Sequence, residues 1–346
     1  MSLLPFVHRL CARENLDASE AFDAMTLILE GRASIPQIAA FLVALRMKGE
    51  TAGEVLGFAR AMREKVERVD AGLDGEPLVD TCGTGGGCAT FNISTIAAFV
   101  TAGAGVRVAK HGNRSFSSPC GSADLLETLG VNIHLSAAQM AACIRQVGIG
   151  FLFAPALHPA MKYAQPARAE LKMRTVFNLL GPLTNPAGAS AQVIGAPSPE
   201  SAELIAAALN GLGSHHAFVV HGFDGMDEVS TTGPTLAYEI AGGSLRKHLW
   251  MPRDFGVRQA SLCDLEGGDR ERNASIARAV LGGAPGPQRD IVIVNAAVAL
   301  IAAGRAGSLR DAVQSAAASI DSGAAMAVLD RLAEFSSSRL RTRADA

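Results

Sequence analysis

The hydrophobic positions change their rhythm once along the chain, shortly before residue 78. Up to there the pattern is helical. Ser34-Ile-Pro-Gln37 places an N-cap serine, a proline in the first turn and a glutamine three residues on, the chemistry of a capped helix start. Ile35, Ile38, Ala39, Leu42 and Leu45 then recur at helical spacing, and Val55, Phe58, Ala59 and Met62 predict a second helix. From residue 78 short apolar runs alternate with helical patterns. Residues 78–79, 106–108, 191–194 and 217–220 read as buried strands. Helices are expected at 94–103, 136–147 and 198–210, the last opened by Ser198 as cap and Pro199 at its first position. Helical patterns return at 271–281, 290–304, 308–321 and 323–335.

Strands alternating with helices predict an α/β domain with a mostly parallel sheet. The expected division is a small helical N-terminal domain, 1–72, and a large α/β domain, 73–346. One segment resists it. Residues 158–181 read as helix on both sides of Pro166, in the middle of the α/β region. If residues 158–182 pack back on the first domain, that domain is discontinuous and a cleft forms between the two.

Composition narrows the class. With 49% hydrophobic and 18% charged residues among 346, the chain has ample core and no disorder signature. A net charge of -2 gives no general field for nucleic acid, so an anionic ligand must be held locally. The most apolar window, 290–303, is too short for a membrane span, which needs ~20 residues. Six cysteines without a CxxC pair, and no secretory signal pattern, predict free thiols in a reducing cytoplasm.

Candidate chemistry gathers in two stretches. Residues 80–95, Asp-Thr-Cys-Gly-Thr-Gly-Gly-Gly-Cys-Ala-Thr-Phe-Asn-Ile-Ser-Thr, leave a strand and enter a helix. Gly83, Gly85, Gly86 and Gly87 allow positive φ and close approach to a ligand. Their N–H groups, with those of the helix start at Asn92 to Thr95, can make an anion-binding nest. Without a GKS/T or GxGxxG pattern, this is neither a P-loop nor a dinucleotide fingerprint, and a ligand-free Gly-rich turn is the plainer reading. The second stretch offers Lys110, His111, Asn113, Arg114, Ser115, Ser117 and Ser118 within nine residues after a strand. Such a density of donors suits phosphate and ribose oxygens. Further on, Asp227 and Glu228 sit in a Gly-rich loop. They can supply oxygens to Mg²⁺, which needs only one or two carboxylates beside phosphate oxygens; an exposed acidic turn is the alternative. His215, His216 and His221 read as surface or strand-end residues.

Four motifs together resemble the anthranilate phosphoribosyltransferase family. They are Gly-Thr-Gly-Gly…Thr-Phe-Asn-Ile-Ser-Thr, then Lys-His-Gly-Asn-Arg-Ser-x-Ser-Ser…Gly-Ser-Ala-Asp, then Arg174-Thr-Val-Phe-Asn-Leu-Leu-Gly-Pro-Leu-Thr-Asn-Pro186, then Gly225-Met-Asp-Glu-Val-Ser230. The resemblance implies the nucleoside phosphorylase/phosphoribosyltransferase-like fold and a homodimer formed through the helical domain. It implies transfer of phosphoribosyl from phosphoribosyl pyrophosphate (PRPP) to the amine of anthranilate, in tryptophan biosynthesis, with Mg²⁺. PRPP contacts are implied at Gly83, Thr84, Gly85, Gly86, Gly87, Thr90, Asn92, Ile93, Ser94, Thr95, Lys110, His111, Gly112, Asn113, Arg114, Ser115, Phe116, Ser117, Ser118 and Ser122. Anthranilate is implied at Gly83, Asn113 and Arg168, and metal at Ser94, Asp227 and Glu228. Lys110 is expected to offset the leaving pyrophosphate's charge, and His111 to accept the amine proton or position the ring. Arg174 reads as structural or domain-bridging.

The chain departs from the family pattern in places. Gly87 replaces an aspartate, and the stretch to Thr90 is one residue shorter. Leu171-Lys172 stands for Leu-Gly. Cys120 stands where serine is common, in a loop whose donors would lower a thiol pKa. Two competing readings are a pyrimidine-nucleoside phosphorylase of the same architecture and a non-catalytic relative that binds a regulatory ligand or nucleic acid.

Overall fold

The computed structural model describes residues 2–73, 75–115 and 119–344, with side chains described as far as residue 338. Four helices come first: α1 (Leu4–Cys11), α2 (Ala18–Leu29), α3 (Ile35–Lys48) and α4 (Ala52–Lys65). Three start on capping boxes, at Asp17, Ser34 and Thr51, so orphan N–H groups are satisfied locally. The helices predicted from Ser34 and through Val55 are α3 and α4. The former buries Ile38, Leu42 and Leu45 but leaves Ile35 43% exposed.

The α/β part follows as β1 (Leu78–Gly83), α5 (Ile93–Gly103), β2 (Arg107–Gly112), α6 (Ser122–Thr128), α7 (Ala137–Val147), β3 (Ile149–Phe153) and α8 (Ala154–Leu157). Then come α9 (Gln165–Leu171), α10 (Phe177–Leu180), β4 (Ala191–Gly195), α11 (Pro199–Gly211), β5 (His216–Gly222), β6 (Thr235–Ala241) and β7 (Ser244–Trp250). The chain ends on α12 (Arg270–Leu281), α13 (Pro287–Ala302), α14 (Leu309–Asp321) and α15 (Ala324–Ala344). The strand order is β3-β2-β1-β4-β5-β6-β7. The first five are parallel, while β6 and β7 add an antiparallel hairpin.

Alternate residues of the central strands feed opposite cores, as a two-sided sheet requires. Val79, Val193, Phe218 and Val220 pack under α5 and α13. Cys82, Ile194, Ala217 and Val219 face α11 and the first four helices. The N-terminal helices therefore close one face of the sheet. Ala164, Ala167, Val176, Phe177, Leu180 and Leu183 share that second core, so the segment following His158 packs against α2, α3 and α4.

The sheet has more strands than the sequence predicted. Strands β3, β6 and β7 were not predicted, although Gly242 and Gly243, at φ 56° and 77°, form the two-residue turn typical of a hairpin. Helix does lie on both sides of Pro166, a 3-10 turn at Pro159–Tyr163 before it and α9 after it, and Pro166 itself sits in the first turn of α9, where a missing N–H costs nothing. Lys172 caps α9 in the left-handed region at φ 47°, the conformation that favours glycine.

Candidate active site

Strand β1 pairs with β2 on one side and β4 on the other, so the direction of sheet building reverses there. At such a point the connections leave the carboxyl ends of the strands on opposite sides and open a crevice. The Gly-rich turn leaves β1 into this crevice. Thr84 N–H donates to Gly195 O at the end of β4, 3.0 Å away, and Cys88 N–H donates to Gly225 O, 3.1 Å away, in the loop after β5. Only Gly85 and Gly86 of the four glycines take positive φ, 64° and 93°. Gly83 and Gly87 serve a different need, room for Asp227. A Cβ at 87 would lie 2.3 Å from Asp227 Oδ1, one at 83 would lie 3.0 Å from Oδ2, and one at 195 would lie 1.7 Å from Asp227 O.

Asp227 and Glu228 thus lie on the Gly-rich turn. Glu228 Oε1 accepts from Ser94 N–H at 3.2 Å. That contact corrects the expectation of a free N–H there, since the start of α5 is engaged by this carboxylate. Burial, and then the neighbouring Asp227 charge, push Glu228 up to about 8. Burial also raises Asp227, against the pull of Arg174. Two crowded carboxylates that the chain's own cations do not neutralise are a hard-oxygen donor set, which fits Mg²⁺. Among the described residues no group of three His, Cys, Asp or Glu side chains could hold a metal by itself, so phosphate and water oxygens would have to complete the coordination.

The acidic loop is braced by residues that the sequence reading missed. Asn295, buried on α13, accepts from Val229 N–H and donates to Val229 O, both at 2.9 Å. Asp224 accepts from the hydroxyls of Ser230 and Thr232. A buried Asn inside an apolar helix, and hydroxyls five and seven residues after Gly225, were the available signals.

Lys110 was expected at the pyrophosphate. It is 3% exposed and its Nζ donates to Thr81 O. Its charge acts on Asp80, Cys82 and Glu228, while burial lowers its pKa. Arg114 was expected as an open donor, but it is paired with Asp124 and Glu127 at 2.7 and 2.6 Å. Ile93 and Thr95 are buried, at 0% and 1% exposure, so only their backbone can meet a ligand. Asn92 is tied to Cys120 O and Asn273. Thr90 bridges to Glu266. Gly112 ends β2 against Phe151 and Ser122, and Ser122 Oγ donates to Asn113 O. Asn113 is exposed beside Ser115 at the rim. Phe116, Ser117 and Ser118 lie outside the described residues.

Arg168 of α9 lies 5.2 Å over the Phe177 ring. Its guanidinium makes no hydrogen bond or ion pair with the described residues, and burial lowers its pKa. Arg174 does bridge: its Nη2 donates to Thr84 O at 3.2 Å, joining the segment that carries Arg168 to the Gly-rich turn. His111 is buried, with Nδ1 3.2 Å from Gly181 O and Nε2 3.2 Å from His158 Nε2. His158 had not been singled out, although it opens the segment that resisted the domain division.

One remaining expectation is corrected, that for Cys120, while His216 and His221 do stand at the two ends of β5. Burial raises the Cys120 thiol, the opposite of an activated one. His221 is buried at 5% exposure and bonds Ala196 O. His216 shares Glu239 with His248, at 3.0 and 2.9 Å.

A helical bundle packed on one face of a mostly parallel sheet, with an acidic loop over a Gly-rich turn, defines a class of glycosyl transferase. The helical bundle domain of the glycosyl transferase family matches residues 4–66, and its a/b domain matches 75–326. The chain belongs to the anthranilate phosphoribosyltransferase family. The relative from Solibacter usitatus is 58% identical over 98% of this chain and 100% of its own. That from Moorella thermoacetica is 53% identical over 94% and 96%. Among solved structures, the Thermus thermophilus anthranilate phosphoribosyltransferase superposes with a TM-score of 0.90 at 43% identity, covering 97% of this chain and 99% of that one. The Saccharomyces cerevisiae enzyme, in complex with PRPP and Mg, gives 0.89 at 29% identity over 97% and 98%.

Proposed function

We propose that the chain transfers the phosphoribosyl group of PRPP to the amine of anthranilate, releasing pyrophosphate, as a step of tryptophan biosynthesis. The observation that carries this reading is the joining of two sets of groups by the bond from Arg174 Nη2 to Thr84 O. A Gly-rich turn and a carboxylate pair suit a phosphorylated sugar with its metal. Arg168, a guanidinium without a polar partner among the described residues and beside an aromatic ring, suits a small aromatic carboxylate.

Gly86 and Gly87 N–H groups have no acceptor among the described residues and would receive phosphate oxygens. Asp227 and Glu228, with the Ser94 hydroxyl, would hold Mg²⁺. When bound, Mg²⁺ supplies positive charge that offsets the charge building on the departing pyrophosphate. The chain's own residues hold the two substrates in line, which lowers the entropic part of the barrier. Lys110 acts on this site by its charge on Glu228 and its bond to the Thr81 carbonyl. Leu4, Ile35 and Met47 are exposed on the helical part, at 44, 43 and 71%. They favour a homodimer formed there, and the six free thiols favour a reducing cytoplasm. The testing experiment follows anthranilate fluorescence with PRPP and Mg²⁺; no loss at any Mg²⁺ concentration contradicts the reading. No feature favours a nucleoside phosphorylase, and the net charge of -2 disfavours a nucleic-acid binder.

A further inference from the structure

His111 ends β2, and His158 follows α8 and begins the segment that carries Arg168. Both therefore lie at the carboxyl edge of the sheet, with His158 ten residues before Arg168 in the chain. We propose that the two imidazoles form a proton-accepting dyad whose open lone pair belongs to His158, and that it takes the amine proton released as the N-glycosidic bond forms. This deepens the function proposed above and rests on it.

The assignment follows from donors and acceptors. Gly181 O can only accept, so His111 Nδ1, 3.2 Å away, carries a proton. In the neutral ring, His111 Nε2 is then a lone pair. It faces His158 Nε2 at 3.2 Å, so the proton between the rings belongs to His158. His158 Nδ1 is left as the dyad's remaining lone pair, and it makes no hydrogen bond with the described residues. The rings are 5.1 Å apart between centroids and both are buried, at 6% and 9% exposure.

The groups facing the dyad keep it neutral and ready. Burial, then the neighbouring His158, then Lys110 hold His111 down at about 3, although its bond to Gly181 opposes this. Burial holds His158 at about 4. Asp80 of β1 spends one carboxylate oxygen on His111 N–H and the other on Asn185. A base this weak is unprotonated at neutral pH. It suffices because an aromatic amine becomes strongly acidic once its nitrogen bonds to the anomeric carbon.

The step balances. The amine lone pair forms the N–C bond, the C–O bond to pyrophosphate breaks, and its electron pair leaves with the pyrophosphate. The nitrogen then gives one proton to His158 Nδ1. Passing the Nε2 proton to His111 spreads the positive charge over both rings, and the proton later leaves to water.

The test uses the full chain. Nitrogen-15 histidine spectra of the ligand-free enzyme should show His111 protonated on Nδ1 and His158 on Nε2. His158→Gln keeps a donor for His111 Nε2 but cannot carry a proton; His158→Leu lacks both. Single-turnover rates of anthranilate loss should fall on the order of 10²-fold in both variants, with the affinities for PRPP and anthranilate retained in His158→Gln. A His158→Gln rate equal to that of the unmodified enzyme overturns the proposal, as does the opposite tautomer pair. An unmodified enzyme that never consumes anthranilate would instead refute the function above, and the spectra would still decide the tautomers.

Discussion

Arg168 and Gly87 are the two residues at which the account is most exposed to experiment. Arg168 has charge and burial but no polar partner among the described residues, so its guanidinium is set to receive a carboxylate. A charged hydrogen bond contributes roughly 1.5–3 kcal/mol, so Arg168→Ala should lower kcat/KM for anthranilate on the order of 10–100-fold. PRPP affinity should stay nearly intact, and kinetics in both substrates measure the split. A defect confined to PRPP would place the acceptor elsewhere. Gly87 is tested through Asp227. A methyl group there meets Asp227 Oδ1 at 2.3 Å and Asp227 N at 2.8 Å, so the carboxylate loop must shift. Overpacking costs about 1–3 kcal/mol, and Gly87→Ala should need more Mg²⁺ for half-maximal rate. The family's aspartate at this position meets the same obstacle, so Gly87→Asp should impair the enzyme rather than restore a contact. Superimposable Mg²⁺ titrations of Gly87→Ala and the unmodified enzyme would contradict the close packing of Asp227 on this turn.

At the scale of elements, the helical part depends on a close crossing of α2 and α4. A Cβ at Gly57 would lie 2.2 Å from Ala18 O, 2.8 Å from Ala21 Cβ and 2.9 Å from Phe22 N. Most of these neighbours are backbone, so relief requires the helices to separate. Gly57→Ala should lower stability by about 1–3 kcal/mol, despite alanine's better helix propensity. The midpoint of thermal unfolding checks this, and an unchanged or raised midpoint would contradict the crossing. Capped helices were legible in the sequence because serine, threonine and glutamine act within one turn of themselves; Ser34 with Gln37 is such a case. Central strands were legible because both faces are buried, as at Val193 and Ile194. The exposed edge strand β7 lacked that signature: Leu245 and Leu249 are 42 and 62% exposed. In the site, motif residues were readable but their directions were not. Arg114 turns to Asp124 and Glu127, and Lys110 turns inward, because partners distant in the chain decide where a long cation points. His158 and Asn295 acquire meaning only from neighbours 47 and 66 residues away.

Over the whole molecule, the sheet reverses its direction of growth at β1, and the resulting crevice receives the Gly-rich turn, the acidic loop and the segment with Arg168. These three come from separate parts of the chain, so the crevice works only as a unit. Arg174 links two of them by its bond to Thr84 O, and Asp227 rests on the turn itself. The central claim is that this unit joins PRPP to anthranilate with the help of a divalent cation. Continuous fluorescence of anthranilate, with PRPP present and Mg²⁺ first chelated and then restored, tests it most directly. The account predicts no loss of signal in excess chelator and full loss once Mg²⁺ is returned. Consumption of anthranilate that ignores the chelator would contradict the role of Asp227 and Glu228. Phosphorolysis of thymidine or uridine, with anthranilate untouched, would contradict the function.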